Sequence, residues 1–199
     1  MKYNIKLKTD ATVEPLTLAQ LKAQLRVDGT DENDLITAFG KAARRLCERY
    51  MTRSCVSQTW TLKMDRFPSG RCFRLPRSPL ISVTHIKYQD EDDAQQTLDS
   101  SKYATDQAGS ETPSRVYLVE EETSWPDTLD EMNSVEVEFL TGYGTSADDV
   151  PETVKQAIRL LTGHFMENRE AVAAMTVNEL PFGVKVLLDA EAIYEAAED

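Results

Sequence analysis

The apolar positions of this chain fall into three blocks of different period. Near the N-terminus, Leu18, Leu21 and Leu25 repeat at three- and four-residue steps. They follow Thr17-Leu18-Ala19-Gln20, a Thr-x-x-Gln capping box that starts a helix. Gly29 lies in the break after it. Asp31 then predicts the cap of a longer helix, with Asp34 in its first turn and Leu35, Ile36, Phe39, Ala43, Leu46, Cys47 and Tyr50 as one stripe. Lys41, Arg44, Arg45, Glu48 and Arg49 are expected mostly on the wet side of that helix. Its cations read either as a solvated face or as contacts to phosphate.

From Val56 the period drops to two. Trp60, Leu62 and Met64 alternate with Thr59, Thr61 and Lys63, a half-buried strand. Phe67-Pro68-Ser69-Gly70 turns the chain, and Cys72-Phe73-Arg74-Leu75-Pro76 returns as a short strand whose prolines favour an edge. Residues 81–88 form a third strand, and the acidic turn Gln89-Asp90-Glu91-Asp92-Asp93 leads to a hairpin partner near 96–98. Residues 103–105 and 115–118 are short strands. Val135, Val137 and Phe139 alternate with Glu136 and Glu138, which predicts a last strand with a wholly acidic outer face.

Helical spacing then returns. Asp148 and Asp149 precede Pro151, which suits a first helical position because it needs no N–H. Val154, Ala157, Ile158, Leu161 and Phe165 make the stripe of a helix over 151–168. The small, nearly uncharged residues 171–177 follow, and Pro181 and Gly183 interrupt the chain before a terminal amphipathic helix running to about Ala197. The fold class is therefore α+β: a helical core of about four helices, two N-terminal and two C-terminal, holding an inserted antiparallel β block of about five to seven strands. The division falls at 1–54, 55–147 and 148–199. A strong helix, an adaptable connector and a terminal helix suit docking better than holding a substrate.

Composition narrows the function classes. At 199 residues the chain can bury a core without disulfides or metal. No run of about 18 apolar residues marks a membrane span, and the first eight residues lack the apolar core of a signal peptide. The expected setting is a cytoplasm, or a particle assembled there. Charge is unevenly spread. Residues 1–87 hold 16 Lys and Arg against 8 Asp and Glu, whereas residues 88–150 hold 2 against 17, within a chain of net charge −12. One reading is an acidic, solvating β-rich lobe; the other is a subunit with a basic and an acidic side that meets copies of itself head to tail. Tight DNA wrapping is disfavoured, since phosphate neutralisation supplies most non-specific DNA affinity.

The chain holds little that looks like catalysis. Cys47, Cys55 and Cys72 have no metal-ligand spacing, and Cys47 reads as a small buried apolar residue. His85 and His164 each stand alone among apolar residues, as core or interface histidines do. Gly142-Tyr143-Gly144-Thr145 lacks the lysine and spacing of a phosphate loop and reads as a turn leaving a strand. Glu120-Glu121-Glu122 and residues 90–93 are carboxylate runs explained by solvation, without EF-hand spacing. No catalytic residue, cofactor or metal is expected.

The ordered set of local patterns resembles the head–tail connector (adaptor, or head-completion) proteins of tailed bacteriophages and prophages. The matching pieces begin with Glu14-Pro15-Leu16-Thr17-Leu18-Ala19-Gln20-Leu21-Lys22, Leu25-Arg26-Val27-Asp28 and Asp34-Leu35-Ile36. They continue with Ala42-Ala43-Arg44-Arg45, Glu48-Arg49-Tyr50, Gln58-Thr59-Trp60, Leu75-Pro76-Arg77-Ser78-Pro79-Leu80 and Ser82-Val83. Phe139 with Gly142-Tyr143-Gly144, Val150-Pro151-Glu152, Lys155-Gln156-Ala157-Ile158, Glu167-Asn168-Arg169-Glu170 and Leu180-Pro181-Phe182-Gly183-Val184 close the set. The acidic stretch 88–133 departs from it.

The resemblance implies a non-enzymatic structural virion protein that forms a ring, typically of twelve copies. That ring docks on the portal protein at a capsid vertex, meets a tail or neck protein, and lets DNA pass through its channel without tight binding. No membrane partner is implied. Another neck or tail ring component (a stopper or terminator) is the alternative, and a small hydrolase a remote one. Helix faces and linker position nominate Arg44, Arg45, Arg49, Glu136, Glu138, Val177, Leu180, Pro181, Phe182, Val184, Leu188 and Tyr194 as interface residues. An acidic wall at Glu136 and Glu138 would repel the DNA backbone and let it slide.

Overall fold

A computed structural model describes residues 3–107, 112–169 and 180–193. Within them the chain is α+β, with four α-helices and eight strands. The first element is a strand, β1 (Tyr3–Thr9), which the sequence patterns did not announce. Tyr3, Ile5 and Leu7 alternate with Asn4, Lys6 and Lys8, but only Ile5 and Leu7 are even half-buried. The strand is fixed by pairing with β2 (Gln58–Met64), far along the chain.

Helix α1 (Leu18–Leu25) starts as its capping box predicts: the Gln20 N–H donates to Thr17 Oγ1 at 3.3 Å and the Thr17 N–H to Gln20 Oε1 at 2.8 Å. It ends where Arg26 turns left-handed. Helix α2 (Asn33–Met51) begins at Glu32 without a side-chain cap, so the cap expected from Asp31 does not form. Gly40 lets α1 cross α2 closely, since a Cβ there would lie 2.6 Å from Leu21 Cδ1. Helix α3 (Glu152–Glu167) follows Pro151, and α4 (Phe182–Asp189) follows Pro181. The expected run of the last helix to Ala197 is not met: α4 ends at Asp189, residues 190–191 turn, and residues 194–199 lie outside the described residues.

The helices before and after the β block pack on one another, α2 with α3 and α3 with α4. Ile36, Ala43, Cys47, Met51, Val154, Ile158, Leu161, Val184 and Leu188 close that core. The β block is two antiparallel sheets. Strands β4 (Leu80–Gln89), β5 (Gln95–Thr97) and β8 (Val135–Thr141) complete a five-stranded sheet of order β1-β2-β8-β4-β5. Strands β3 (Cys72–Arg74), β6 (Tyr103–Asp106) and β7 (Arg115–Leu118) form a second sheet, β3-β7-β6. The 67–70 turn therefore does not close a hairpin. It carries β3 to the other sheet, where it pairs with β7 at an edge. Leu62, Phe73, Ile86, Val116, Trp125, Val137 and Phe139 fill the space between. Gly142, at φ +141, lies against the Val56–Ser57 backbone, and the Ser57 N–H donates to the Gly144 carbonyl, so this glycine pair is the expected turn after a strand.

Candidate assembly surfaces and the seam that orients them

Between the helical and β cores lies a seam of buried polar groups. Arg44 was expected on the wet side of α2, yet it is 1% exposed. Residues 44 and 48 stand beside the apolar 43, 47 and 51 on the same helix face. The loop after β1 brings two further carboxylates over Arg44, so burial is compensated by ion pairing. Arg44 meets Glu48 at 3.0 Å, Glu14 at 2.9 Å and Asp10 at 3.1 Å. Glu48 also accepts from Gln58 Nε2 at 2.7 Å and from the Cys55 N–H at 3.0 Å. Ser54 and Thr141 hydroxyls lie 2.8 Å apart, and Trp60 Nε1 donates to Ser54 at 3.2 Å. The Arg77 guanidinium stacks 4.9 Å from the Trp60 ring and donates to the Glu48 carbonyl at 2.9 Å.

A second strand of the seam ties down the segment after α4. The Arg53 side chain donates to the Glu191 carbonyl and lies 5.9 Å from the Tyr143 ring centroid. The Glu191 carboxylate accepts from Tyr143 at 3.2 Å and Thr153 at 2.9 Å, and Tyr50 donates to Asp189 at 2.6 Å. Burial pushes the Glu48 carboxyl above its ordinary value despite the Arg44 charge. Asp10 goes the other way: its partial burial is overcome by hydrogen bonds from Arg45 and Ala11 and by the Arg44 charge. The Cys47 thiol is pushed up to about 12 by burial, then by Glu48, so it stays protonated and unreactive.

The outer face of the five-stranded sheet is not an acidic wall. Glu138 pairs with Lys8, Glu136 with Lys63 at 3.0 Å, and His85 Nε2 approaches both carboxylates at 4.0 and 3.8 Å. Lys63 comes from β2 and His85 from β4, on either side of the central β8, and Lys8 reaches Glu138 from β1 beyond β2. His85 thus faces carboxylates and does not stand among apolar groups.

The nominated interface residues separate into groups. Arg45 keeps a side chain 66% exposed while bound to Asp10 at 2.7 Å, and Arg49 is exposed. Val184 and Leu188 are buried in the helical core, so they hold α4 in place. Phe182 and Val186, one turn apart on its other side, are 82% and 52% exposed. Leu180 and Pro181 are half-buried. Beside Pro181, an open cleft of about 560 Å³ runs between α1, α3 and α4, lined by Leu25, Val27, Leu160 and Met166 among others. Val177 and Tyr194 lie outside the described residues. No seam role was read from the sequence for Asp10, Glu14, Arg53, Gln58, Tyr143 or Glu191, although the Arg44/Glu48 spacing on the buried face of α2 was a usable signal. Among the described residues no group of three or more His, Cys, Asp or Glu is placed to hold a metal ion, and no helix is long and apolar enough to cross a membrane.

The fold is shared with chains of gene transfer agent (GTA) particles. A chain in the neck of an empty GTA particle, computed with C6 symmetry, matches 97% of each chain at 21% identity and a TM-score of 0.78. A chain in the virion of the native gene transfer agent particle matches 96% of each at 20% identity, also with a TM-score of 0.78. A chain in the neck of the native particle, computed with C12 symmetry, matches 98% of this chain and 97% of its own at 21% identity and a TM-score of 0.74. No family model matches this chain, and no curated protein matches it by sequence. The likeness spans the helical core and both sheets, so the fold as a whole is the one found in those particles.

Proposed function

We propose that this protein is a structural neck component of a phage or phage-like particle: a ring that joins the portal vertex of the capsid to the tail and continues the DNA channel. The observation that carries the reading is the whole-length likeness to chains of GTA necks treated with six- and twelve-fold symmetry. The ring holds about twelve copies and resides in the virion at the head–tail junction, after assembly in the host cytoplasm. Its role is mechanical. DNA passes through the lumen without tight binding, in keeping with the net charge of −12.

The outward side of α4 is the attachment surface in this reading. Phe182 and Val186 present apolar area from a helix that Val184 and Leu188 anchor, next to the α1–α3–α4 cleft. Purified particles probed for a tagged copy of the chain decide the matter. The expected result is co-purification with portal protein, at a fixed stoichiometry, in particles that carry the tag at the neck. Co-purification with tail-tube subunits and no portal would instead place the ring lower, as a stopper or terminator. Absence from particles would overturn the neck reading. Phe182→Asp is expected to leave the monomer folded and to remove it from particles.

A further inference from the structure

The charge asymmetry of the sequence becomes two separate places in the fold. At the far end of the β half, Met132 is 84% exposed on the segment entering β8, next to Asp130 and Glu131. The Asn133 N–H donates to Asp65 Oδ1 at 3.0 Å, which draws a third carboxylate from the end of β2 to the same tip. The Leu129 N–H donates to the Gln89 carbonyl at 3.1 Å, joining the acidic 90–93 turn to it. An unbranched, adaptable side chain thus stands inside an acidic collar.

The helical half carries the complement. Val13, Pro15, Leu18 and Leu21 line an apolar cleft of about 270 Å³ against the middle of α2. Lys41 forms part of its rim, and Lys41, Arg45 and Arg49 stand at four-residue steps, all exposed, along that helix. The nearby carboxylates Asp10 and Glu14 are already engaged by Arg44 and Arg45. The seam at Glu48, Gln58 and Thr141 lies between cleft and tip, because β2 and β8 run away from it to Met64 and Val135. One chain cannot fill its own cleft.

We infer that the acidic tip of one copy docks on the next copy, with Met132 in the α1–α2 cleft and Asp130 and Glu131 against Lys41 and Arg45. The occupant is a second copy because the two surfaces are complementary in polarity on the same chain, an apolar side chain among carboxylates and an apolar cleft beside cations, and neither surface matches itself. Such a contact is heterologous, the kind that closes rings. It rests on the ring reading above and gives that reading its subunit contact. Screening confines these attractions to about 8 Å at physiological salt, so association weakens as salt rises.

The test is native mass spectrometry of the full chain over a concentration series, with circular dichroism to confirm that each variant folds. K41E/R45E and D130K/E131K are each expected to weaken self-association at least tenfold. An equimolar mixture of the two restores it, since every contact in an alternating ring then pairs opposite charges. M132A weakens it without altering the charge. Rings that persist through both charge reversals overturn the contact and leave the ring reading standing. A wild-type chain that stays monomeric also overturns the contact, while the ring reading is judged separately by the presence of the chain in particles.

Discussion

The two cores and the seam between them solve burial in opposite ways. The helical core closes on Ile36, Ile158, Leu161 and their neighbours, and the β core on Phe139, Leu62 and Ile86, all almost without water contact. The seam buries Arg44, Arg53, Glu48, Gln58 and Thr141 instead. Apolar packing is non-directional and tolerates small rotations, whereas a guanidinium shared among three carboxylates has narrow geometry. The cores thus supply stability, and the seam fixes the angle at which the two halves meet.

Deleting core volume is the strongest way to break this comparison. Phe139→Ala should lower unfolding stability by about 3–5 kcal/mol through lost transfer energy and a residual cavity. If the seam couples the halves, the change appears in one cooperative denaturation transition. Trp60 at the seam, Trp125 in the β core and helical circular dichroism should lose their signals together. Two separated transitions would make the halves independent.

Glu48→Ala comes next. It strips Arg44 of its nearest buried partner and leaves the Cys55 N–H and Gln58 unsatisfied, an expected loss of about 3 kcal/mol in the same measurement. A combined R44M/E48L variant should be less destabilised than the sum of its single changes, because no lone buried charge remains. A double-mutant cycle checks this, and strict additivity would remove the coupling.

The pH dependence sharpens the contrast within the seam. Glu48 has a raised folded-state value, so the folded chain holds its proton more firmly between the ordinary carboxylate range and that higher value. Its contribution is complete in acid and declines as pH rises through that window, which E48Q should abolish. Asp10 has a lowered value, so its contribution is present above about pH 4 and fades as pH falls further; D10N should remove that loss. Denaturation midpoints of the two variants relative to wild type should therefore slope in opposite directions with pH. Parallel slopes would contradict the assignment.

The smallest effect belongs to the outer sheet face. Lys63 and Glu136 form a pair at 3.0 Å with Lys63 exposed and Glu136 half-buried at the surface, so Lys63→Ala should change stability by less than about 1 kcal/mol. A large loss there would mean that the sheet face, like the seam, has a directional role.

The elements that repeat locally were legible from the chain. The capping box at Thr17, the stripe of α3, the strands at 58–64, 115–118 and 135–141, and the turn at Gly142 each carry a local pattern of residue types, although the strands find their partners far along the chain. Their alternation or helical spacing is written in sequence order. Strand β1 was not read, because its alternating residues stay largely exposed and only pairing with β2, far along the chain, makes them a strand. The same reason misplaced Arg44, Glu138 and His85. Their own helix or strand suggests a wet, acidic or apolar setting, but the groups that decide it arrive from elsewhere: Asp10 and Glu14 over Arg44, Lys8 on Glu138, and Glu136 and Glu138 beside His85. Of the two nominated residues at the start of α4, Phe182 is exposed, whereas Val184, two residues on, turns inward with the helix.

Period and composition alone determined the α+β order, the helices on either side of the β block and the uneven charge, since each follows from residue type and near-neighbour spacing. Tertiary structure decided which charges are buried, which strands pair, and that the acidic tip and the apolar α1–α2 cleft lie apart across a polar seam. Desolvation and ion pairing depend on distances in space, and no spacing along a chain specifies those.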